Sequence, residues 1–513
     1  MSVDKLREKH HINRVSPGDI GLLLSAQSYR PEITQAIRTL KTFKWAPLQE
    51  LVRNTISPGP HPVYGGTYPC LKTKNVNELL ADLEPADYAD ISGINNLNKV
   101  QVECGDLLIN LTGAGSIGRV SVYYGNDLPI TNQHIARMGV KEPYDEGYVA
   151  SFLRSWWGER ALEQGVAGST GQINMVNDHV RSIPVILFKE PVQKYIGDKV
   201  RQAERLRAWA TRLEENIASH FSSLVENPLA SKVSWWATKQ DLDSYRINPK
   251  QYDPVVLDLL KRAEQSGVRL QSLSDLVGER KVAGGATPKG ARYFDKGVLF
   301  ARVQNVKPLR LDLSDAVYID KAADEELARS RCVADDIILT ITGYPGTASL
   351  VTEEDLPVNI NQHSVRFDIK PDVGTGFVCA ALNSEFLKYQ VDRLAIGGTR
   401  DALDYPSVGR LLIPRFAAKT EQEIDDKARN VVAAIKLAQR LTNVAKQLVE
   451  ALIEGQLDES LLKAAQILLE EGNDSIDRSI LNRLKTDGID GSGQPLFTDL
   501  DELYRLLSQA QED

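Results

Sequence analysis

Cysteine and histidine are scarce in this chain, with four of the first and seven of the second in 513 residues. Cys70, Cys104, Cys332 and Cys379 lie far apart with no CxxC, and no two histidines stand in an HxxxH pattern. Those gaps remove the usual zinc spacings and any disulfide framework, so idle thiols in a reducing compartment are the expectation. Long hydrophobic runs are missing too. Nothing approaches the roughly 18 uninterrupted apolar residues of a membrane span, and "MSVDKLREKHHINRV" is too polar for a signal peptide. We therefore expect a cytoplasmic protein with no membrane partner. Enzyme signatures are lacking as well: there is no GxxxxGK[ST] phosphate loop, no HExxH and no NPPY-type adenine-methylase motif. Asp372, Glu385 and Lys388 come nearest to a metal-dependent nuclease set, but "EFLK" holds one residue too many for an ExK pair. No catalytic residue, no metal ligand and no cofactor is assigned to this chain.

The composition that is present, 42% hydrophobic and 25% charged, is that of a soluble globular protein long enough for about three domains. Its net charge of -8 is unevenly placed. Residues 456–513 hold thirteen acids against five bases, which leaves fifty-six of each sign in residues 1–455. A neutral body with an acidic tail neither requires nor forbids a local basic face for DNA.

One stretch, "GDLLINLTGAGSIGRV" (105–120), contains a literal GxGxxG after a strand-like run. A dinucleotide site needs a helix after the glycines, whose N-terminal amides hold the pyrophosphate. The glycines lead instead into "RVSVYYGND", an alternating run that reads as a second strand. They are better explained by a hairpin, where Gly supplies positive φ.

That explanation is strengthened by internal similarity. "YPCLKTKNV" (68–76) matches "VLFARVQNV" (298–306), and "GDLLINLTGAGSIG" (105–118) matches "DDIILTITGYPGTA" (335–348). The parallel continues through "LPITNQHIAR" and "LPVNINQHSVR" to "VRSIPVIL" and "VGRLLIPRF", where the sequence pairs Pro184 with Pro414. Upstream, "SYRPEI" (28–33) pairs with "QYDPVV" (251–256), and "PLQELV" (47–52) with "SLSDLV" (272–277). The chain reads as two copies of one mixed α/β unit of about 230 residues, which is domain duplication and not a short-repeat solenoid.

Each copy closes on a long helix. Apolar residues fall at Val192, Ile196, Ala203, Leu206, Ala210, Leu213, Ile217 and Phe221 in the first, and at Ile424, Ala428, Val431, Ile435, Ala438, Ala445, Leu448 and Leu452 in the second. Steps of mostly three and four indicate coiled-coil seams that pack antiparallel as a spacer. The last stretch has no counterpart: "LDESLLKAAQILLEEG" and "DRSILNRLKTDG" read as short helices, and "GIDGSGQPLFTD" as a turn-rich link to "LDELYRLLSQAQED".

Two such units, each ending in a heptad helix, resemble the specificity (S) subunit of type I restriction-modification systems. "GGATPKGARYFDKGVLFARVQNV" is similar to that family's opening loop and strand, "GDLLINLTG" and "DDIILTITG" to its central strand, "GSTGQINMVNDHVRSIPVIL" to its closing loop and strand, and "KTEQEIDDKA" to the start of its helix. The similarity covers nearly all of residues 20–456. It departs at "EPVQKYI", where "EQ" is usual, and in the acidic tail, which the family usually lacks and which suggests an additional partner. The resemblance implies α/β (mixed α+β) target-recognition domains at 1–188 and 227–416, long helices at 189–226 and 417–456, and an acidic helical extension at 457–513. It also implies a non-catalytic role: reading a bipartite site on double-stranded DNA and recruiting DNA adenine methyltransferase subunits, with a restriction or translocase subunit as an optional third partner. S-adenosylmethionine is then implied in the partner methyltransferase, not here. A coiled-coil adaptor that assembles proteins without reading DNA is the competing reading.

For readout, loops must carry donors and acceptors to base edges while basic side chains hold phosphates. The candidates are Lys72, Lys74, Asn75, Ser169, Thr170 and Gln172 in copy one, and Arg302, Gln304, Asn305, Thr399 and Arg400 in copy two. Arg280, Lys281, Lys289 and Arg292, in a loop without acids, are candidates for phosphate. The shared triplets Asn132-Gln133-His134 and Asn361-Gln362-His363 have two readings, DNA contact by Gln133, His134, Gln362 and His363, or a hydrogen-bonded strand end. Residues that read different half-sites should differ between copies, which favours the second and applies to Asn75 and Asn305 too.

Overall fold

The computed structural model describes residues 15–512 apart from 85, 95, 114, 169–172, 231–233, 240–241, 243–246, 289, 291 and 398–400. The first copy runs α1 (Pro31–Leu40), β1 (Trp45–Pro47), β2 (Ser57–Pro58), β3 (Val63–Leu71), β4 (Asp87–Asp90), β5 (Asp106–Asn110), β6 (Val120–Tyr123), β7 (Ile130–Thr131), β8 (Ile135–Gly139), α2 (Glu146–Arg154), α3 (Trp156–Glu163), β9 (Val166–Ala167), β10 (Asn174–Met175), α4 (Asn177–Ser182), β11 (Pro184–Ile186) and α5 (Glu190–Ser222). The second runs α6 (Pro254–Gln265), β12 (Arg269–Ser272), α7 (Leu273–Leu276), β13 (Ala283–Gly284), β14 (Val298–Ala301), β15 (Val317–Ile319), α8 (Lys321–Glu326), β16 (Ile337–Thr340), β17 (Ala348–Leu350), β18 (Val358–Ile360), β19 (Ser364–Phe367), α9 (Thr375–Asn383), α10 (Glu385–Leu394), α11 (Tyr405–Gly409), β20 (Leu412–Arg415) and α12 (Ala418–Ile453). After it come α13 (Glu459–Glu470), α14 (Ser475–Arg483), β21 (Leu484–Lys485), β22 (Gly488–Ile489) and α15 (Leu500–Glu512).

The fold is a mixed α/β one, built twice. A four-stranded sheet ordered β2-β8-β5-β6 recurs as β13-β19-β16-β17, a three-stranded sheet β4-β3-β7 recurs as β15-β14-β18, and the pair β1-β11 recurs as β12-β20. The parallel pairing within the three-stranded sheet repeats as well, β3 with β7 and β14 with β18. The central strands β5 and β16 are buried at every position, which is why they read as continuous apolar runs and not as alternation. Matching cores result: Leu71, Val76, Ala81, Val102 and Leu108 cluster in one copy, and Ala301, Val306, Leu311, Cys332 and Ile338, each 230 residues on, cluster in the other. Three of the free thiols, Cys70, Cys332 and Cys379, are buried and Cys104 is exposed.

The described chain divides into two units, one formed by the residues up to 207 together with those from 436, the other by 208–435. Both long helices, of 33 and 36 residues, therefore contribute to each unit. In the second unit, Lys427 donates to Asn216 Oδ1 at 2.6 Å and Phe221 packs edge-on against Phe416 at 5.6 Å, so the end of α5 and the start of α12 run antiparallel there. The seam residues are buried with the exception of Ile435, which is half-buried.

The pairing of Pro184 with Pro414 needs correction. Leu48 N–H donates to Ile183 O, and its counterpart Leu273 N–H donates to Leu411 O. The ladders then set Pro184 opposite Pro47 and Leu412 opposite Ser272. The true partner of Pro184 is Leu412, two residues before the proline, and the shift carries into the helices, where Phe188 corresponds to Phe416 and Ile196 to Ile424. Two prolines in similar apolar strings attracted the sequence alignment, whereas backbone hydrogen bonding fixes the register.

That register exposes a reciprocal exchange. In the first unit Asp145 caps α2, accepting from Tyr148 N–H at 2.9 Å, and faces Gly197 of α5. In the second unit the cap position is Gly374, and the carboxylate comes from the long helix instead: Asp425 accepts from Phe377 N–H at 3.1 Å. An arginine one turn along each long helix holds the acid, Arg201 on Asp145 at 2.7 Å and Arg429 on Asp425 at 2.9 Å.

The extension is three helices and a small hairpin packed onto the first half of α5. Asp477 is its anchor, accepting from Lys199 Nζ at 2.6 Å and Tyr195 Oη at 2.5 Å, with both ionic side chains 1% exposed. Lys194 pairs with Glu470 at 2.8 Å at the margin.

Candidate nucleic-acid interface

In each unit the β3/β7 or β14/β18 parallel pair ends where polar residues begin. Leu71 lies opposite Thr131, so the 3-10 turn Thr73–Asn75 and the triplet 132–134 leave from neighbouring strand ends. Ala301 lies opposite Ile360, which gives Val303–Asn305 and the triplet 361–363 the same start. A third loop crosses this end, and it must be glycine where it does. A Cβ on Gly59 would meet Thr131 O at 2.3 Å, and one on Gly285 would meet Ile360 O at 2.2 Å. The β5–β6 and β16–β17 turns join the group, because Leu111 N–H and Ile341 N–H donate to His134 O and His363 O. Gly113 (φ 111°) and Gly343 (φ 88°) open those turns, and each turn leads into a strand, with no helix for a pyrophosphate.

Polar side chains divide into a shared frame and differing tips. Asn75 and Asn305 are buried, and their Oδ1 atoms accept from Lys72 N–H (2.8 Å) and Arg302 N–H (3.0 Å), closing the two turns. Asn305 also donates to Asp312 O and Asp315 Oδ1. Asn132 and Asn361 are buried and accept from His134 N–H and His363 N–H. Gln133 and Gln362 each bring their amide nitrogen 3.0 Å from the following histidine's Nε2. Thr287 donates to Gln362 from the third loop.

At the tips the copies part. Lys72 and Lys74 both pair with Asp87, at 3.1 and 2.7 Å, and their bonds, that of Lys74 first, hold its carboxyl below the usual range. Lys72 also lies 3.8 Å over the Tyr64 ring. Arg302 and Gln304 both reach Asp315 instead, with Gln304 Nε2 at 2.6 Å from Oδ2 and Arg302 Nη2 at 2.6 Å from the carbonyl. Each set is part-exposed and held ready by one acid.

Arg280 is turned inward, donating to Arg331 O at 2.7 Å and standing 3.3 Å from buried Asp336, while Lys281 and Arg292 are exposed. Asp336 and its counterpart Asp106 have carboxyls pushed up by burial, against the pull of their arginines. Ser169, Thr170, Gln172, Lys289, Thr399 and Arg400 lie outside the described residues. Sequence reasoning passed over Tyr344, 80% exposed in the second copy's turn. The signal was present: an aromatic at a turn where the first copy has Ala114. Among the described residues no three His, Cys, Asp or Glu gather as a metal site, and no helix is long and apolar enough to cross a membrane.

Comparison with solved structures finds similar chains at low identity. A type I restriction-modification S subunit from M. genitalium aligns at 13% identity and TM-score 0.36, over 83% of this chain and 95% of that one. The HsdS subunit from Thermoanaerobacter tengcongensis aligns at 12% and 0.28, over 81% and 97%. A chain described with complex assembly and conformational transition of the type I R-M system aligns at 13% and 0.28, over 81% and 98%. No protein-family model and no curated protein matches the chain.

Proposed function

We propose that this chain is a DNA sequence-specificity subunit of a type I restriction-modification or related phage-defence system, acting in the cytoplasm. The observation that carries the reading is the duplication of one framework with different tips: identical sheet orders and buried asparagines hold Lys72 and Lys74 in one unit, Arg302 and Gln304 in the other. Such a pair suits a split site whose halves differ. Residues 1–188 and 227–416 read one half each, 189–226 and 417–456 fix their spacing and bind the adenine methyltransferase subunits, and 457–513 forms the extension. Phosphate contacts position the protein and base contacts specify. The chain itself performs no chemistry; S-adenosylmethionine and any nuclease or translocase belong to its partners.

The test is co-purification with DNA adenine methyltransferase subunits of the source organism, followed by methylation mapping of host DNA with and without the chain. The reading requires that a bipartite motif lose methylation on deletion, and that one half of it change when one unit is swapped. A methyltransferase that neither binds the chain nor depends on it, together with no salt-dependent DNA binding by the assembly, gives the adaptor reading instead.

A further inference from the structure

The turn between β5 and β6 borders a cavity of about 540 Å³ in the first unit, within the range of small-molecule sites of roughly 300–1,000 Å³. One wall is apolar, built from Ile117, Leu162, Val166 and Met175. The other carries two guanidinium groups. Arg119 donates to Asn77 Oδ1 and Arg154 Nη2 to Asn77 O at 3.2 Å, so a single residue brings both together. Among the described residues neither has a carboxylate within 4 Å, and Arg154 Nε is buried without a partner. Arg30, on the same cavity, is by contrast neutralised by Glu163 at 2.8 Å. Burial depresses the Arg154 pKa against the pull of Glu159 and Glu78, with Arg119 adding to the depression, and Lys446 of α12 is lowered by burial and by Arg154 against the same two acids and Glu450. Neither guanidinium is engaged by a direct carboxylate contact, so their forks stay open to an anion, and paired guanidinium forks match phosphate oxygens.

The second unit supplies a control within the same chain. By the strand register Thr347 stands where Arg119 does, since Asn110 N–H donates to Arg119 O and Thr340 N–H to Thr347 O, and Asn383 stands where Arg154 does, spending its amide on both polar groups of Ala348. The arginine pair therefore is not required by the shared fold.

We propose that this cavity binds the phosphate of a nucleotide-sized phosphate ester, with its base against the apolar wall and within reach of Gln27 and Glu159. The ester is either a free nucleotide or a nucleotide of a DNA strand, and the proposal does not depend on the specificity-subunit reading. Calorimetric titration of the full chain with dAMP, inorganic phosphate and a duplex oligonucleotide tests it. Expected is one dAMP per chain, bound at least about tenfold tighter than phosphate, and weakened about 10- to 100-fold by Arg119→Gln and by Arg154→Gln in proteins with unchanged circular dichroism. Competition by the duplex assigns the site to a DNA strand; no competition assigns it to free nucleotide. The proposal is overturned if dAMP shows no saturable binding, if phosphate binds equally well, or if Arg119→Gln and the cavity-filling Leu162→Trp both leave dAMP binding intact.

Discussion

The exchange of Asp145 and Gly197 for Gly374 and Asp425 allows a stringent test of the duplicated framework. Gly197→Asp would place a Cβ 1.8 Å from Asp145 Oδ1, and add a second carboxylate where burial already pushes the Asp145 carboxyl to about 6. Overpacking and the unpaired charge together should cost about 3–5 kcal/mol. Asp145→Gly alone removes the cap on Tyr148 N–H and the 2.7 Å pair with Arg201, about 1–3 kcal/mol in all. The double variant reproduces the second unit: the acid on the long helix caps α2 from the side and meets Arg201 one turn on, as Asp425 meets Arg429. Its stability should return to within about 1 kcal/mol of wild type, a coupling of about 3 kcal/mol or more. Urea denaturation followed by circular dichroism, with hydrogen exchange of α2, measures all four corners of the cycle. Additive losses in the double variant would refute the equivalence of the two helix pairs.

Single sites carry further expectations. Asp477→Ala leaves Lys199 buried without its acid and should destabilise the first unit by about 3–5 kcal/mol, roughly 6–10 °C in Tm, with Lys199→Met restoring part of it; an unchanged melting curve would remove the extension from the fold's stability. His179 is buried 2.7 Å from Ala161 O, and burial lowers its pKa, so below about pH 6.5 the unfolded chain takes a proton that the native one refuses. Stability should fall as pH drops from 6.5 towards that lowered value, and His179→Leu should flatten the slope; equal slopes in thermal melts between pH 5 and 7 count against it. On the proposed function, Gln304→Ala should relax one position of one half-site by about 1–3 kcal/mol, read by methylation of a substituted site library. Lys74→Ala should instead weaken binding to all sequences and reduce the salt slope by about 0.9.

Much of the candidate site was legible because its framework is duplicated. Two copies of a string reveal what both must keep, so Asn75/Asn305 and the Asn-Gln-His triplets stood out, and the objection that shared residues should support and not discriminate agrees with their buried hydrogen bonds. Arg280 reads as a loop cation, and nothing local signals that Asp336, far along the chain, draws it inward. The arginine pair at Asn77 was invisible for the same reason, since Arg119 and Arg154 meet only when the turn packs against α2.

The sequence by itself determined the two-copy plan, the central strands, the hairpin at the GxGxxG string and the two long helices, because each depends on periodicity or turn chemistry within a few residues. Tertiary structure alone decided the register of the last strand, the side from which each α2-type helix is capped, the docking of the acidic extension through Asp477 and the cavity beside Arg154. Those features rest on contacts between residues tens to hundreds of positions apart, and burial and backbone pairing select such contacts from many that local pattern allows.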